Sequence, residues 1–281
     1  MKINKYNKPL HLKNDGSLEI SFLGTGTAFT KELNNNNYLI IKGDTHILVD
    51  FGITGPKAIV DTLGLDVGDI DVVLPTHSHA DHIGGLEYLT LYHRYVVETM
   101  MKKPKLKMII SEEYEKILWN MSLRGGMEWN ESNLSGKKLK FNDYFDVVRP
   151  SLISNSPRLL LELDFEGIHI EMFGTNHIPD HAKSQRQAFL TFGLFIDNKV
   201  MISGDTKFDR KLIEMYADKA EAIFHDSSFF PNPVHASINE LRTLPAELKE
   251  KIYLMHYQDD WQKYDVSDFA GLVHSGSIYS F

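Results

Sequence analysis

Two packed β-sheets with helices on their outer faces, an α/β sandwich, is the fold class that this 281-residue sequence predicts, and three observations predict it. Short apolar runs with strand periodicity fall into two groups, before residue 75 and after residue 159, each followed by segments with helical spacing. The composition, 42% hydrophobic, suffices for one substantial core. No repeat or linker interrupts the chain, so a single domain over 1–281 is expected, with a helical insertion around 86–130. No apolar stretch reaches about 20 residues, and no apolar segment follows the N-terminal lysines, so a soluble, cytoplasmic protein without a membrane partner is expected.

The elements follow in order. Residues 18–23 alternate as a strand and run into Gly24-Thr25-Gly26-Thr27-Ala28, which lacks both the Gly-Lys-Ser/Thr ending and the helix-opening third glycine of nucleotide loops. It reads as a turn near the active site. The asparagines at 34–37 read as loop, and the runs 38–41 and 46–49, joined by Lys42-Gly43-Asp44-Thr45, as a hairpin. The strand over 47–52 stops at the carboxylate of Asp50, a helix follows at 56–63, and 71–75 is strand again. Helical spacing returns at 86–101 and 112–123 around a strand at 107–110, whereas 124–145 is polar and irregular. Strands are expected at 159–163, 168–173, 189–196, 199–203, 222–225 and 252–255, and helices at 209–217 and 238–241. The tail, 261–281, gives no assignable pattern.

Thr76-His77-Ser78-His79-Ala80-Asp81-His82-Ile83-Gly84-Gly85 begins where the strand 71–75 ends, the place where sites of layered α/β folds collect. Residues two apart on extended backbone project to one side, so His77 and His79 can grip one ion together. As the chain curls into a helix, Asp81 and His82 reach a second position, and Gly84 and Gly85 let that turn approach neighbouring backbone. The chain has no cysteine, so disulfides, thiolate ligands and a cysteine nucleophile are excluded, and any metal is held by nitrogen and oxygen. His11, His46, His93, His169 and His274 read as ordinary polar residues.

The pattern His77-x-His79-x-Asp81-His82 with Gly84-Gly85 resembles the signature of the metallo-β-lactamase superfamily. Residues 48–52 resemble its first motif, and Ser203-Gly204-Asp205-Thr206 its bridging-aspartate motif. The resemblance implies an αββα four-layer sandwich of two mixed sheets, with Asp205 between two divalent ions and His256 completing the second site. It implies a further histidine before Asp205. His177, after a short turn from strand 168–173, is preferred, with His181 the alternative ligand or a substrate contact. One ion then has His77, His79, His177 and Asp205, and the other Asp81, His82, Asp205 and His256. Zinc suits these donors best, and manganese or iron are compatible with them. The superfamily's iron oxygen-reductases usually carry glutamate in place of His79, and Asp50 reads as an acceptor that orients a ligand.

Such a pair of ions makes a bridging hydroxide available near neutral pH, which implies a hydrolase but leaves the bond it attacks open. Residues 23–28, Ser203-Gly204-Asp205-Thr206, and the pairing of His225-Asp226-Ser227-Ser228 with His235-Ala236-Ser237 resemble the ribonuclease Z branch, which favours phosphodiesters. There an acidic residue, usually glutamate, at the position of Asp226 cooperates with a histidine at that of His235 near the scissile phosphate. The candidate catalytic residues are therefore Asp81, Asp226 and His235, the last as proton donor or phosphate contact. Only Asp197-Asn198-Lys199-Val200-Met201-Ile202 separates Ile196 from Ser203, too little for the long arm that holds transfer RNA. With a net charge of −8 this argues against a large nucleic-acid surface and for a small anionic substrate, cyclic nucleotides first. A lactonase or thioesterase, RNA processing, and a metal-bound sensor are the alternatives. Of the rings at 86–129, Tyr88, Tyr92, Tyr95 and Trp119 read mostly as core, though they could wall the metal pocket or form a dimer surface, and Trp129 is the one expected to meet substrate or partner.

Overall fold

The computed structural model describes residues 1–131 and 136–281. Its strands in chain order are β1 (Lys2–Lys5), β2 (Glu19–Phe22), β3 (Tyr38–Lys42), β4 (Thr45–Val49), β5 (Val72–Leu74), β6 (Lys107–Ile109), β7 (Asp146–Val148) and β8 (Ser151–Ser154). The second half continues with β9 (Leu160–Phe165), β10 (Ile168–Gly174), β11 (Phe192–Ile196), β12 (Val200–Ile202), β13 (Ala222–Asp226), β14 (Ile252–Met255), β15 (Gly271–Leu272) and β16 (Ser277–Ser280). They form two eight-stranded mixed sheets, ordered β1-β16-β2-β3-β4-β5-β6-β7 and β15-β14-β13-β12-β11-β10-β9-β8. β4 to β7 run parallel, as do β12 to β15, and the remaining neighbours are antiparallel.

Every residue of β4, β11, β12 and β13 is buried, as continuous apolar strands require when both faces of a sheet are covered. Between the sheets, Phe22 of the first meets Phe224 of the second at 5.3 Å between ring centroids. Helices close the outer faces, among them Arg210–Ala217, capped by Asp209, and Ile238–Leu241, whose Ser237 and Glu240 form a reciprocal capping box. Among the described residues no helix is long and apolar enough to cross a membrane.

The hairpin expected at 38–49 forms, with Gly43 in the left-handed region at φ +60°. The helix expected at 86–101 spans Leu86–Tyr92 and continues in π-type turns over His93–Glu98, and that at 112–123 extends through Arg124–Met127. The irregular stretch 124–145 thus gains two helical pieces, Arg124–Met127 and Phe141–Tyr144, while its residues 132–135 lie outside the described ones. β11 begins at Phe192 and not at 189, because Phe189 N donates to Ile178 O and Thr191 O accepts from Thr175 N in the loop that carries His177. The tail does carry structure: β15 and β16.

The insertion does not wall the metal pocket, since no residue from 86–130 lines that cavity. Trp119 packs on Phe141 and Tyr144, which makes it core of the helical layer. Trp129 is 70% exposed with the Lys138 ammonium 3.9 Å from its ring centre, away from the cavity, so the expected substrate contact is corrected. The β11–β12 connection is a tight turn with Asp197 and Asn198 at φ +50° and +54°.

Candidate metal centre

Asp50, the 77–82 segment, His177, Asp205, Asp226 and His256 all sit at or just past the ends of strands β4, β5, β10, β12, β13 and β14. This is the crevice outside the carboxyl ends of a sheet, here formed by both sheets at once. Close backbone packing makes it possible: a Cβ on Gly52 would fall 2.0 Å from Asp81 O, and one on Gly85 2.6 Å from Gly52 O. Asp50 and His256 hold left-handed backbone, φ +61° and +57°, a strained conformation for non-glycine residues that clusters at functional sites.

Two overlapping groups, His77, His79, His177 and Asp205, and Asp81, His82, Asp205 and His256, place their donor atoms within 4.8 Å of one another. In the first, His79 Nδ1 lies 3.1 Å from His77 Nε2 and 3.2 Å from His177 Nε2. In the second, Asp81 Oδ2 lies 3.2 Å from His256 Nε2 and 3.3 Å from His82 Nε2. Asp205 Oδ2 stands 3.3 to 3.8 Å from His82, His256, His177 and His77. His177 is thus inside the cluster and buried, whereas His181 has an 83% exposed side chain and pairs with Asp180.

Partners behind the cluster fix which nitrogen faces inward. Asp50 accepts from Thr76 N, Thr76 Oγ1 and His82 Nδ1, each at 2.7 Å. With its hydroxyl proton on Asp50, Thr76 can accept from His77 Nδ1 at 3.2 Å, and Val234 O accepts from His177 Nδ1 at 2.9 Å. His77, His82 and His177 therefore each turn Nε2 inward, as metal-binding imidazoles do, bare on His77 and His177 and protonated on the charged His82 until a metal displaces that proton. Within this buried crowd His82 Nε2 and Asp205 Oδ1 have no aligned hydrogen-bond partner, which fits a cation at their centre. The nitrogen and carboxylate donor set fits two divalent ions.

Electrostatics divide the groups. Burial lowers His77, His79 and His177 below the usual histidine range, His177 to about 4, so the first site offers neutral imidazoles near pH 7. Burial also opposes charge on His82 and His256, but Asp205 with Asp81 and Asp50 at His82, and Asp205 with Asp226 and Asp81 at His256, outweigh it and raise both. In the metal-free protein those two contribute stability that is complete below the unfolded value near ~6.5 and lost as pH rises through their folded values. A metal entering the second site displaces their protons, so its affinity is expected to rise with pH more steeply than that of the first site. Calorimetric titration of metal-free protein in buffers of different ionisation enthalpy should show proton release for one ion; equal release for both would contradict the division.

Beside the second group, Asp226 Oδ2 accepts from His235 Nδ1 at 2.7 Å and from Thr206 N at 3.0 Å, while Oδ1 lies 3.3 Å from His256 Nδ1, too poorly aligned for a hydrogen bond. The aspartate is long enough for His235 because the loop closes on itself, Ser228 N donating to Ala236 O and Ile238 N to Ser228 O, both at 2.8 Å. His235 rests on the His256 ring at 4.8 Å, and although burial opposes its charge, Asp226 raises it. It lines a cavity of about 850 Å³ together with Asp81, His177 and Asp205.

Sequence reasoning missed the asparagines as struts. Asn37 Oδ1 accepts from Gly52 N at 2.9 Å and its Nδ2 donates to Asp81 O at 3.1 Å, pinning the turn that carries Asp81. Four amide side chains in a row before an apolar strand were the available signal, since such groups satisfy irregular backbone.

The family described as anti-Pycsar protein Apyc1 matches residues 18–279. The anti-Pycsar protein Apyc1 of Bacillus phage vB_BsuM-Goe3 is 34% identical over 251 residues, 88% of this chain and 91% of its own. That of Paenibacillus harenae is 35% identical over 252 residues, 88% and 92%. Among solved structures, the metallo-β-lactamase fold protein YhfI from Bacillus subtilis aligns at a TM-score of 0.67 with 15% identity, over 94% of this chain and all of its own (100%). A diphosphatase of the PhnP family gives 0.65 with 14% identity over 94% and 98%, and the short form of human tRNase Z 0.60 with 15% over 93% and 98%. These likenesses are of fold, and the fold is that of the metallo-β-lactamases. By the extent of its sequence match, the chain belongs to the anti-Pycsar protein Apyc1 family.

Proposed function

We propose that the protein is a dinuclear metal-dependent phosphodiesterase acting on small diesters of the cyclic-nucleotide type, with zinc as the metal. The observation that carries this reading is the His235–Asp226 pair set against a two-group ligand cluster in one cavity. Two divalent ions held by His77, His79, His177 and Asp205, and by Asp81, His82, Asp205 and His256, would supply an activated water near neutral pH and positive charge for the phosphate oxygens.

The chain's own groups then divide the remaining tasks. Asp81, already held ionised against its burial in the metal-free protein and a ligand of the second ion in the loaded one, can accept from the attacking water. Cleavage of a diester expels an alkoxide that needs a proton. Asp226 keeps His235 charged and fixes its Nδ1, which leaves Nε2 to deliver that proton. Among the described residues no lysine or arginine lines the cavity, so a substrate with a single phosphate suits it better than a polyanion.

The test is hydrolysis of a panel of cyclic nucleotides by zinc- and manganese-loaded protein, alongside lactones and thioesters. Turnover of cyclic nucleotides is expected. Turnover confined to the carbon esters would replace this reading.

A further inference from the structure

Large apolar side chains gather at the mouth of the metal cavity, and the chemistry proposed above does not use them. Phe29 is 91% exposed and Phe230 49%, yet both line the cavity that reaches His79, Asp205 and His235. Phe29 stands on the loop after β2 and Phe230 on the loop after β13, so the two rings come from different sheets. Leaving phenyl rings in water forfeits the gain of burying them, and exposed apolar groups gathered at one cavity mark a ligand-binding surface.

The loop that carries Phe29 is not a loose tip. The Asp259 carboxylate, itself in the cavity wall, accepts from the backbone N–H groups of Lys31, Glu32 and Leu33 at 2.7, 3.1 and 3.0 Å. At the other end Asn35 Nδ2 donates to Thr27 O at 3.2 Å. Tyr257 N donates to Thr25 O and Thr25 Oγ1 to the Tyr257 hydroxyl, both at 3.0 Å, tying the loop to the strand end that carries His256. The backbone on either side of Phe29 is therefore held in register with the metal ligands.

The carbonyl oxygens of Asn232 and Gln258 already accept from the backbone of Val234, His235 and Phe229. We infer that Phe29 and Phe230 form a ring-binding subsite, which takes the planar heteroaromatic ring of the substrate by stacking while its phosphodiester reaches the ligand cluster. Asp259 is the positioning residue of that subsite. The inference rests on the phosphodiesterase reading and adds to it where the non-reacting part of the substrate sits.

The experiment compares 3′,5′-cyclic AMP with the corresponding cyclic ribose phosphate that has hydrogen in place of the base, using the metal-loaded full chain. Phe29→Ala and Phe230→Ala should each lower the preference for the nucleotide over the base-free diester, as a ratio of kcat/KM, by roughly tenfold, mostly through KM. Phe29→Trp should restore the preference, and Phe29→Leu, apolar but not planar, should not. Asp259→Ala should lower it in the same sense. Variants that slow both substrates equally, or neither, would overturn the subsite while leaving the phosphodiesterase reading intact. A wild-type protein that cleaves neither compound would bring down that reading and the subsite with it.

Discussion

An Asp205→Asn protein is expected to lose turnover by far more than the roughly 100-fold that loss of an outer partner of a metal ligand costs. Asp205 alone is shared by the two proposed ligand groups, with Oδ2 within 3.8 Å of four histidines and Oδ1 without a hydrogen-bond partner. Asparagine keeps the shape but removes the charge that would hold the two proposed ions together, and it takes from the buried His82 and His256 the first of the carboxylates that raise them. Metal content by mass spectrometry, measured with activity on the same sample, should fall from two ions towards one or none. Retention of both ions and of turnover would remove Asp205 from the centre.

His235→Ala should leave the metal content intact and lower turnover of cyclic nucleotides by roughly 10²- to 10⁴-fold, the range of a lost general acid. The pH dependence gives the sign. A histidine raised by Asp226 is charged below its shifted value, so wild-type activity should fall as pH rises through it, and that limb should vanish in the variant. A diester with a nitrophenolate leaving group, which departs without a proton, should suffer much less. Equal losses on both substrates would assign His235 to phosphate binding instead of proton donation.

Much of this was legible along the chain because local pattern and local structure agree. The strands from β2 to β6 and from β9 to β14 are apolar runs of ordinary length, and the cluster at 77–82 is compact in sequence, so both can be read directly. What stayed hidden has no local signature. β7 and β8 hold no fully buried residue, β15 is only two residues long, and β1 is exposed at every position, so periodicity had little to act on. The choice between His177 and His181 needed the fold, because only burial separates two histidines four residues apart. Asn37 looked like loop, and loop it is; its importance lies in its bond to Asp81 O, which no window around it contains.

β16 has a consequence for the order in which the molecule can be made. Its Ser280 lies between Lys2 of β1 and Glu19 of β2, so the first sheet joins residues far apart in the chain. During translation the N-terminal half emerges with its histidines early, yet the outer edge of β2 has no partner until the ribosome has passed residue 280. Completion of that sheet therefore waits on β16, and such long-range pairing is slow. In the interval a nascent chain carries an open β edge where β16 will later pair.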